Sequence, residues 1–265
     1  MREIAHGRYP RDGIKWTREE TILAMYLFEQ IPFGQIHSHN PLICDMAKLL
    51  GRSPGSLSMK MCNIARLDPT LAARGVSGLA NGGKTEIFVW DEFHNHIDML
   101  LDEVSKVLAN IKLDESSKGL RDILPIQETP LVQETGHLRA DRQYFRSAVL
   151  ASYDNTCCMT GIDDPSLLSA SCIKPWDAFE TKNPSMSPTN GLCLNALHAK
   201  AFEKGLFTIH TDFRIELSKA IADHISKAAR RDYFDRYDGK IITLPHRFAP
   251  DKSFLEYHNQ HVFVA

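Results

Sequence analysis

Between Thr17 and Glu29 apolar side chains recur three and four residues apart: Ile22, Met25 and Tyr26, with Leu23 and Leu27 beside them. That spacing places one face of a helix against a core. Thr17 followed three residues on by Glu20 is a capping-box signature for its start, and Pro32-Phe33-Gly34 ends it. Asn40 then Pro41 opens a second helix, cap followed by proline at the first helical position. Its apolar stripe is Ile43, Met46, Ala47 and Leu50, and Gly51 can terminate it. Ser53-Pro54 starts a third helix almost at once, with Leu57, Met61 and Ile64 as the buried stripe.

Two short helices joined by Gly51-Arg52-Ser53 fit a helix-turn-helix. The pattern leaves Ser56, Lys60 and Asn63 on the outer face of the third helix, with Arg66 just beyond. With Arg52 these are the candidate DNA contacts, suited to a groove and to phosphates. From Arg52 to Arg74 the bases Arg52, Lys60, Arg66 and Arg74 face one acid, Asp68. The competing reading is a small helical bundle whose charges are merely solvated. Ile87-Phe88-Val89-Trp90 predicts a short strand, and Asp91 caps a longer helix carrying Ile97, Leu100, Leu101, Val104 and Leu108. A polar stretch with Ser116, Ser117, Pro125 and Pro130 follows and reads as a linker.

Beyond the linker, Arg139 to Tyr153 predicts an amphipathic helix with Phe145, Val149 and Leu150 inward and Arg142 and Arg146 outward. The pattern then shortens into strands and turns. Ile215 to Leu217 and Ile241 to Leu244 read as strands around a helix at Lys219–Tyr237, and Phe254 to His258 as a last short helix. The fold class is therefore α+β: residues 1–110 as a helical, helix-turn-helix-like domain, 111–137 as linker, and 138–265 as a second, mixed domain.

Composition adds bounds. A chain of 265 residues is long enough for one large domain or two modest ones. No apolar run reaches the ~18 residues that span a bilayer, and the first residues lack a signal peptide's apolar core. No membrane partner and a cytoplasmic location are the expectation. A net charge of −2 confines any basic surface to a local patch. The six cysteines, Cys44, Cys62, Cys157, Cys158, Cys172 and Cys193, contain no Cys-x-x-Cys pair, which favours reduced thiols over a zinc knuckle.

The chemistry gathers in one ordered set: Tyr153, Cys157, Thr160-Gly161, Ala170-Ser171-Cys172-Ile173-Lys174-Pro175-Trp176, Asn190-Gly191-Leu192, Leu197-His198, Phe202 and Gly205-Leu206. Over roughly residues 138–265 this set resembles the bacterial HNH endonucleases of restriction and defence type, and the N-terminal part is similar to a segment that often precedes that domain. The resemblance implies a ββα site holding one divalent cation, Mg²⁺ first, with Mn²⁺, Ni²⁺ or Zn²⁺ as alternatives, and double-stranded DNA as the substrate. Gly191 to Leu194 makes the second strand and Ala196 to Glu203 the helix, with His198 projecting from its first turns toward the hairpin. In the family's terms His198 is a metal ligand, and Asn190 fixes the loop or adds an oxygen ligand. Lys174 is a candidate phosphate contact, with a solvated lysine as the competing reading. Glu203 takes the place of a common aspartate and supports a ligand from behind.

Where the family carries its base histidine, this chain has Cys172. A thiol of ordinary pKa, ~8.5, is a poor proton acceptor at neutral pH. Losing a positioned base costs roughly 10²–10⁴-fold, so the resemblance implies an impaired or inactive nuclease. The alternatives are a DNA-binding protein on a decayed HNH scaffold and a Cys172/His198 thiol hydrolase. Cutting two strands with one site per chain also points to a possible homodimer.

Overall fold

A computed structural model describes residues 9–75, 83–109, 111, 120, 124, 133–179 and 186–265, with the backbone alone for 133–140. The chain divides into two compact units, Met1–Ser147 and Ala148–Ala265. Most of the linker expected at 111–137 lies outside the described residues, including Ser116, Ser117, Pro125 and Pro130.

The first unit is built from helices α1 (Arg18–Glu29), α2 (Pro41–Leu49), α3 (Pro54–Ala65), α4 (Pro69–Ala73), α5 (Lys84–Phe93) and α6 (Ile97–Ala109), and from the start of α7 (Gln133–Ser152). Helix α1 is its axis: it packs against α3, α5 and α6, and every residue from Glu20 to Glu29 is buried. Its start is the expected capping box, Thr17 Oγ1 accepting from Glu20 N and Glu20 Oε2 accepting from Thr17 N. At its other end Tyr144 stacks on Tyr26, ring centroids 5.6 Å apart, and donates its hydroxyl to Glu29.

The α2–α3 turn follows from its residue types. Gly51 sits at φ +66° and donates to Lys48 O, while Arg52 N donates to Ala47 O. These two bonds satisfy the last carbonyls of α2 and form a Schellman motif, in which the left-handed residue favours glycine. Ser53 then caps α3 through Ser56 N, with Pro54 at the first helical position.

The strand expected at Ile87–Trp90 does not form; those residues lie in α5. Glu86, Val89 and Phe93 are buried at helical spacing, and Ile87 and Phe88 are exposed. Asp91 accordingly lies inside α5, and α6 begins after a break at His94–His96.

The second unit opens with the end of α7. Strands β1 (Leu168–Cys172) and β2 (Gly191–Asn195) pair antiparallel, from Leu168 opposite Asn195 to Cys172 opposite Gly191. Helix α8 (Ala196–Glu203), with the bounds expected from sequence, packs on both strands. Strands β3 (Phe207–Ile209) and β4 (Ile215–Leu217) form a second hairpin. The helix expected at Lys219–Tyr237 is instead α9 (Ile221–His224), α10 (Lys227–Tyr233) and a 3₁₀ turn at Asp235–Tyr237. The expected strand at Ile241–Leu244 reduces to an isolated bridge between Arg214 and Ile241. Helix α11 (Lys252–His261) closes the chain against β3.

Helix α8 ends on a second Schellman motif: Gly205 at φ +66° donates to Phe202 O, and Leu206 N donates to Ala201 O. Gly205 also lets the last residues approach, with Val264 N donating to Gly205 O. A side chain at Gly205 would place its Cβ 2.0 Å from Val262 O. No described helix is long and apolar enough to cross a membrane.

Candidate nuclease site

Residues 173–190 connect β1 to β2, of which 173–179 and 186–190 are described, and Asn190 bonds across the two ends of that connection. Asn190 is fully buried, and its Oδ1 accepts from Lys174 N at 2.8 Å while its Nδ2 donates to Lys174 O at 2.9 Å. Ile173 N donates to Asn190 O at 2.8 Å. Both ends of the amide are spent on the backbone of one residue, so the side chain works as a clamp. Cys172 stands immediately before that clamp, half-buried at the end of β1.

Lys174 is fixed by more than its backbone. Its ammonium lies over the rings of Phe179 and Tyr257, 4.6 Å and 4.7 Å from the centroids. Two aromatic faces on one ammonium are a stabilising arrangement. They give the half-buried ammonium a resting place between two rings.

His198 sits in the first turn of α8, whose cap, Asn195, accepts from His198 N at 3.0 Å. The ring is buried, 2% exposed, within 6.3 Å of Phe207, 5.1 Å of Phe234 and 5.5 Å of Tyr237, centroid to centroid. Its Nδ1 lies 3.0 Å from Asn195 Oδ1 and its Nε2 lies 2.9 Å from Tyr233 O. Burial lowers the ring's pKa, the Tyr233 carbonyl opposes that, and the charge of Arg236 adds to the lowering. Only an imidazolium could donate to both oxygens, so a neutral ring keeps one lone pair against an oxygen.

Glu203 faces outward and pairs with Lys200 at 3.0 Å instead of backing a ligand. Cys157, Cys158 and Cys193 are buried beside the hairpin: Asn195 N donates to Cys157 Sγ at 3.3 Å and Cys158 N to Cys193 O at 2.8 Å. Burial, and then its neighbours Cys157 and Cys193, push the Cys158 thiol well above its ordinary pKa.

Residues 157–210, which hold β1, β2, the clamp, His198 and all of β3, match the family model described as HNH endonuclease. This segment is an HNH endonuclease domain. No curated protein matches the chain. HNH domains are nuclease modules and generally depend on a divalent metal. The donors here, as arranged, do not fit such an ion. The Asn190 amide holds Lys174, both His198 nitrogens lie against oxygens, and no three His, Cys, Asp or Glu side chains among the described residues are grouped to hold a metal.

The candidate contacts of the helical unit separate into two groups. Arg52 is 1% exposed and grips Glu20 with Nε at 3.0 Å and Nη2 at 2.7 Å. Its remaining donors go to the carbonyls of Arg11, Ile14 and Lys15, and its guanidinium lies 4.2 Å from the Trp16 centroid. Lys60 is buried rather than on the outer face: its Nζ bonds Glu86 Oε1 at 2.7 Å and lies over the Trp16 ring, 4.9 Å from the centroid. A helix can turn a lysine inward when a buried carboxylate waits on the next element, and Glu86 of α5 does so. Ser56, Asn63 and Arg66 stay partly exposed, beside exposed Gly55 and Met59. Arg66 Nε donates to Asn63 O at 3.2 Å.

Sequence reasoning missed Tyr233, Phe234, Arg236 and Tyr237 around His198, and Phe179 and Tyr257 around Lys174. No local signal marks them, because Tyr233 meets His198 through its carbonyl and from another element of the unit.

Proposed function

We propose that this chain is a double-stranded DNA endonuclease of restriction or defence type whose cleavage is severely impaired. Its HNH domain, within residues 138–265, follows a helix-turn-helix-like unit within residues 1–110, and of the linker expected at 111–137 the last residues already belong to α7. The observation that carries the reading is the clamped end of β1, where Asn190 keeps the hairpin mouth formed and a thiol, Cys172, stands where the family has its base. A thiol of ordinary pKa is mostly protonated at neutral pH and accepts a proton poorly from water. The scaffold is retained and the proton acceptor is replaced.

The DNA-selecting role of the first unit is supported by the tight α2–α3 turn and by the partly exposed Ser56 and Asn63 of α3 and Arg66 at its C-cap. Arg52 and Lys60 serve that unit from inside, as its internal ion pairs. Mg²⁺, and after it Mn²⁺, Ni²⁺ or Zn²⁺, is the ion to supply in assays. A homodimer accounts for cutting both strands with one HNH site per chain.

The test is plasmid cleavage by the chain beside its Cys172→His variant across those four ions. Feeble nicking by the chain, raised at least about 10²-fold in the variant, is expected from the worth of a positioned base. If neither protein cuts any duplex with any ion, the nuclease reading falls. A second reading, a DNA-binding protein on a decayed scaffold, is favoured by the engagement of both His198 nitrogens. It gives salt-sensitive DNA binding and no cleavage by either protein.

A further inference from the structure

His198 meets its surroundings as a load-sharing core residue does. Helix α10 ends at Tyr233, and the last carbonyls of a helix have no partner within it. His198 Nε2 lies 2.9 Å from one of these, Tyr233 O. Cationic or hydrogen-bonding side chains at that end also oppose the negative pole of the helix. On its other side the ring reaches Asn195, which caps α8 and in turn donates from Nδ2 to Thr160 Oγ1 at 3.2 Å. Phe234, Tyr237 and Phe207 close around the ring. One imidazole thus lies between the N-terminus of α8 and the C-terminus of α10, with a ring nitrogen against an oxygen of each.

We propose that His198 is a structural tie between α8 and α10, and that the HNH domain of this chain takes up no divalent ion through it. This departs from the ligand role that the family resemblance implies for the same position. It also adds a second cause of weak cleavage, separate from Cys172. Three observations carry it: the burial of the ring, an oxygen against each nitrogen, and the lack of a converging donor set among the described residues.

The experiment follows the His198 ring nitrogens by ¹⁵N NMR in the full chain and in Cys172→His, with and without millimolar Mg²⁺, Zn²⁺ or Mn²⁺. Thermal unfolding is recorded in parallel for both proteins and for His198→Gln. The expected result is ring resonances that Mg²⁺ and Zn²⁺ leave in place and that Mn²⁺ does not selectively broaden. His198→Gln should lower the Tm by about 5 °C with or without metal, as loss of a buried bonded group does. Amide exchange over Lys227–Tyr237 should also quicken by tenfold or more in that variant, since the tie holds this segment. A metal-dependent shift or selective broadening of the His198 ring overturns the proposal. So does a metal-induced Tm gain that His198→Gln abolishes. Should His198→Gln fail to fold, the ring resonances of the unsubstituted chain still decide. The outcome is independent of cleavage: Cys172→His that cuts DNA while the His198 ring stays silent keeps both the nuclease reading and the tie, with the ion held elsewhere.

Discussion

Asn190 holds Lys174 by both sides of its backbone, accepting its N–H at 2.8 Å and donating to its carbonyl at 2.9 Å across sixteen positions of sequence. The pair fixes where the hairpin loop leaves β1, and therefore where Cys172 stands. Asn190→Ala removes both bonds and leaves two backbone groups without their partner, at a cost of about 2–3 kcal/mol. Asn190→Asp keeps the acceptor but sets a buried carboxylate against a carbonyl, and should cost more than the alanine. Urea denaturation of the three proteins measures the order: Asn190 most stable, alanine next, aspartate last. An aspartate variant as stable as the parent would show that the clamp contributes nothing.

In the helical unit the corresponding anchor is Arg52, whose bidentate grip on Glu20 is buried on both sides. Burial raises the pKa of Glu20, but the bonds from Arg52 and Thr17 N, with the charges of Arg52 and Arg11, outweigh it and the net shift is downward. Arg52→Ala removes two charged bonds and leaves that buried carboxylate to Arg11, 2.7 Å away, and to Thr17 N, and should cost about 1–3 kcal/mol. The sign for pH follows from the lowered pKa: the pair's stability is present above the ordinary glutamate value, ~4.3, and is lost as pH falls below it. Arg52→Met combined with Glu20→Gln should recover part of the loss, because the buried carboxylate is then gone. Guanidinium titrations at neutral pH test both variants.

The same pairs limit what α3 can offer to DNA. Arg66→Ala removes a partly exposed cation and should weaken DNA binding, reducing the salt slope by about 1 if that residue meets a phosphate. Asn63→Asp adds a repelling charge to the same face and should weaken binding further. Lys60→Met, by contrast, strands Glu86 and should lower stability while leaving the salt slope of the folded protein unchanged. Fluorescence anisotropy against salt concentration, with parallel thermal melts, separates the two effects. A Lys60→Met protein that melts normally yet loses a unit of slope would place that lysine on the DNA.

Local chemistry was legible in the sequence, and distant partners were not. The capping box at Thr17 and Glu20, Asn40-Pro41, Gly51, Ser53-Pro54 and the bounds of α8 were all readable, because each depends on residues within a few positions. Ile87-Phe88-Val89-Trp90 misled because apolar and β-branched residues in a run favour a strand. What decided for the helix was its partners: Val89 and Phe93 pack inward, and Glu86 meets Lys60 from another helix. At the site, the chain alone pointed to Cys172, Asn190 and His198, which lie at the end of β1, just before β2 and in the first turn of α8. The oxygens facing His198 were not, since one of them is a backbone carbonyl and carries no residue signature.

His258 gives the second unit a calculable response to acid. It is buried, stacks on Phe202 with ring centroids 3.8 Å apart, and bonds Thr208 Oγ1 at 2.8 Å and Phe202 O at 3.2 Å. Burial lowers its pKa from 6.5 to about 4, against the raising effect of the Phe202 carbonyl. Between those values the unfolded chain binds a proton that the folded one refuses, so stability must fall as pH falls. The contribution is fully present above pH 6.5, declines toward pH 4, and amounts to about 3 kcal/mol across that window. Denaturation curves at intervals from pH 7 to pH 4 should show this slope, and His258→Gln should flatten it while lowering stability at pH 7. An unchanged slope in the variant would assign the acid response to another group.

The chain's last residues close over a position that only glycine fits. Gly205 occupies the left-handed region at φ +66°, which strains any side chain, and an added Cβ would meet Val262 O at 2.0 Å and Phe263 Cα at 3.2 Å. Because both neighbours are backbone, no rotamer change can relieve the contact; either the end of α8 or the strand of chain after α11 must move. Gly205→Ala should therefore cost well over the ~1 kcal/mol of the conformational penalty alone. The tail should give way first, since it is held there by a single backbone bond from Val264 N to Gly205 O. Limited proteolysis should then release the residues after His261 from Gly205→Ala at protease levels that leave the parent intact, with a lower Tm in the same preparation. If both proteins resist equally and melt together, α8 tolerates the side chain and the close approach does not secure the C-terminus.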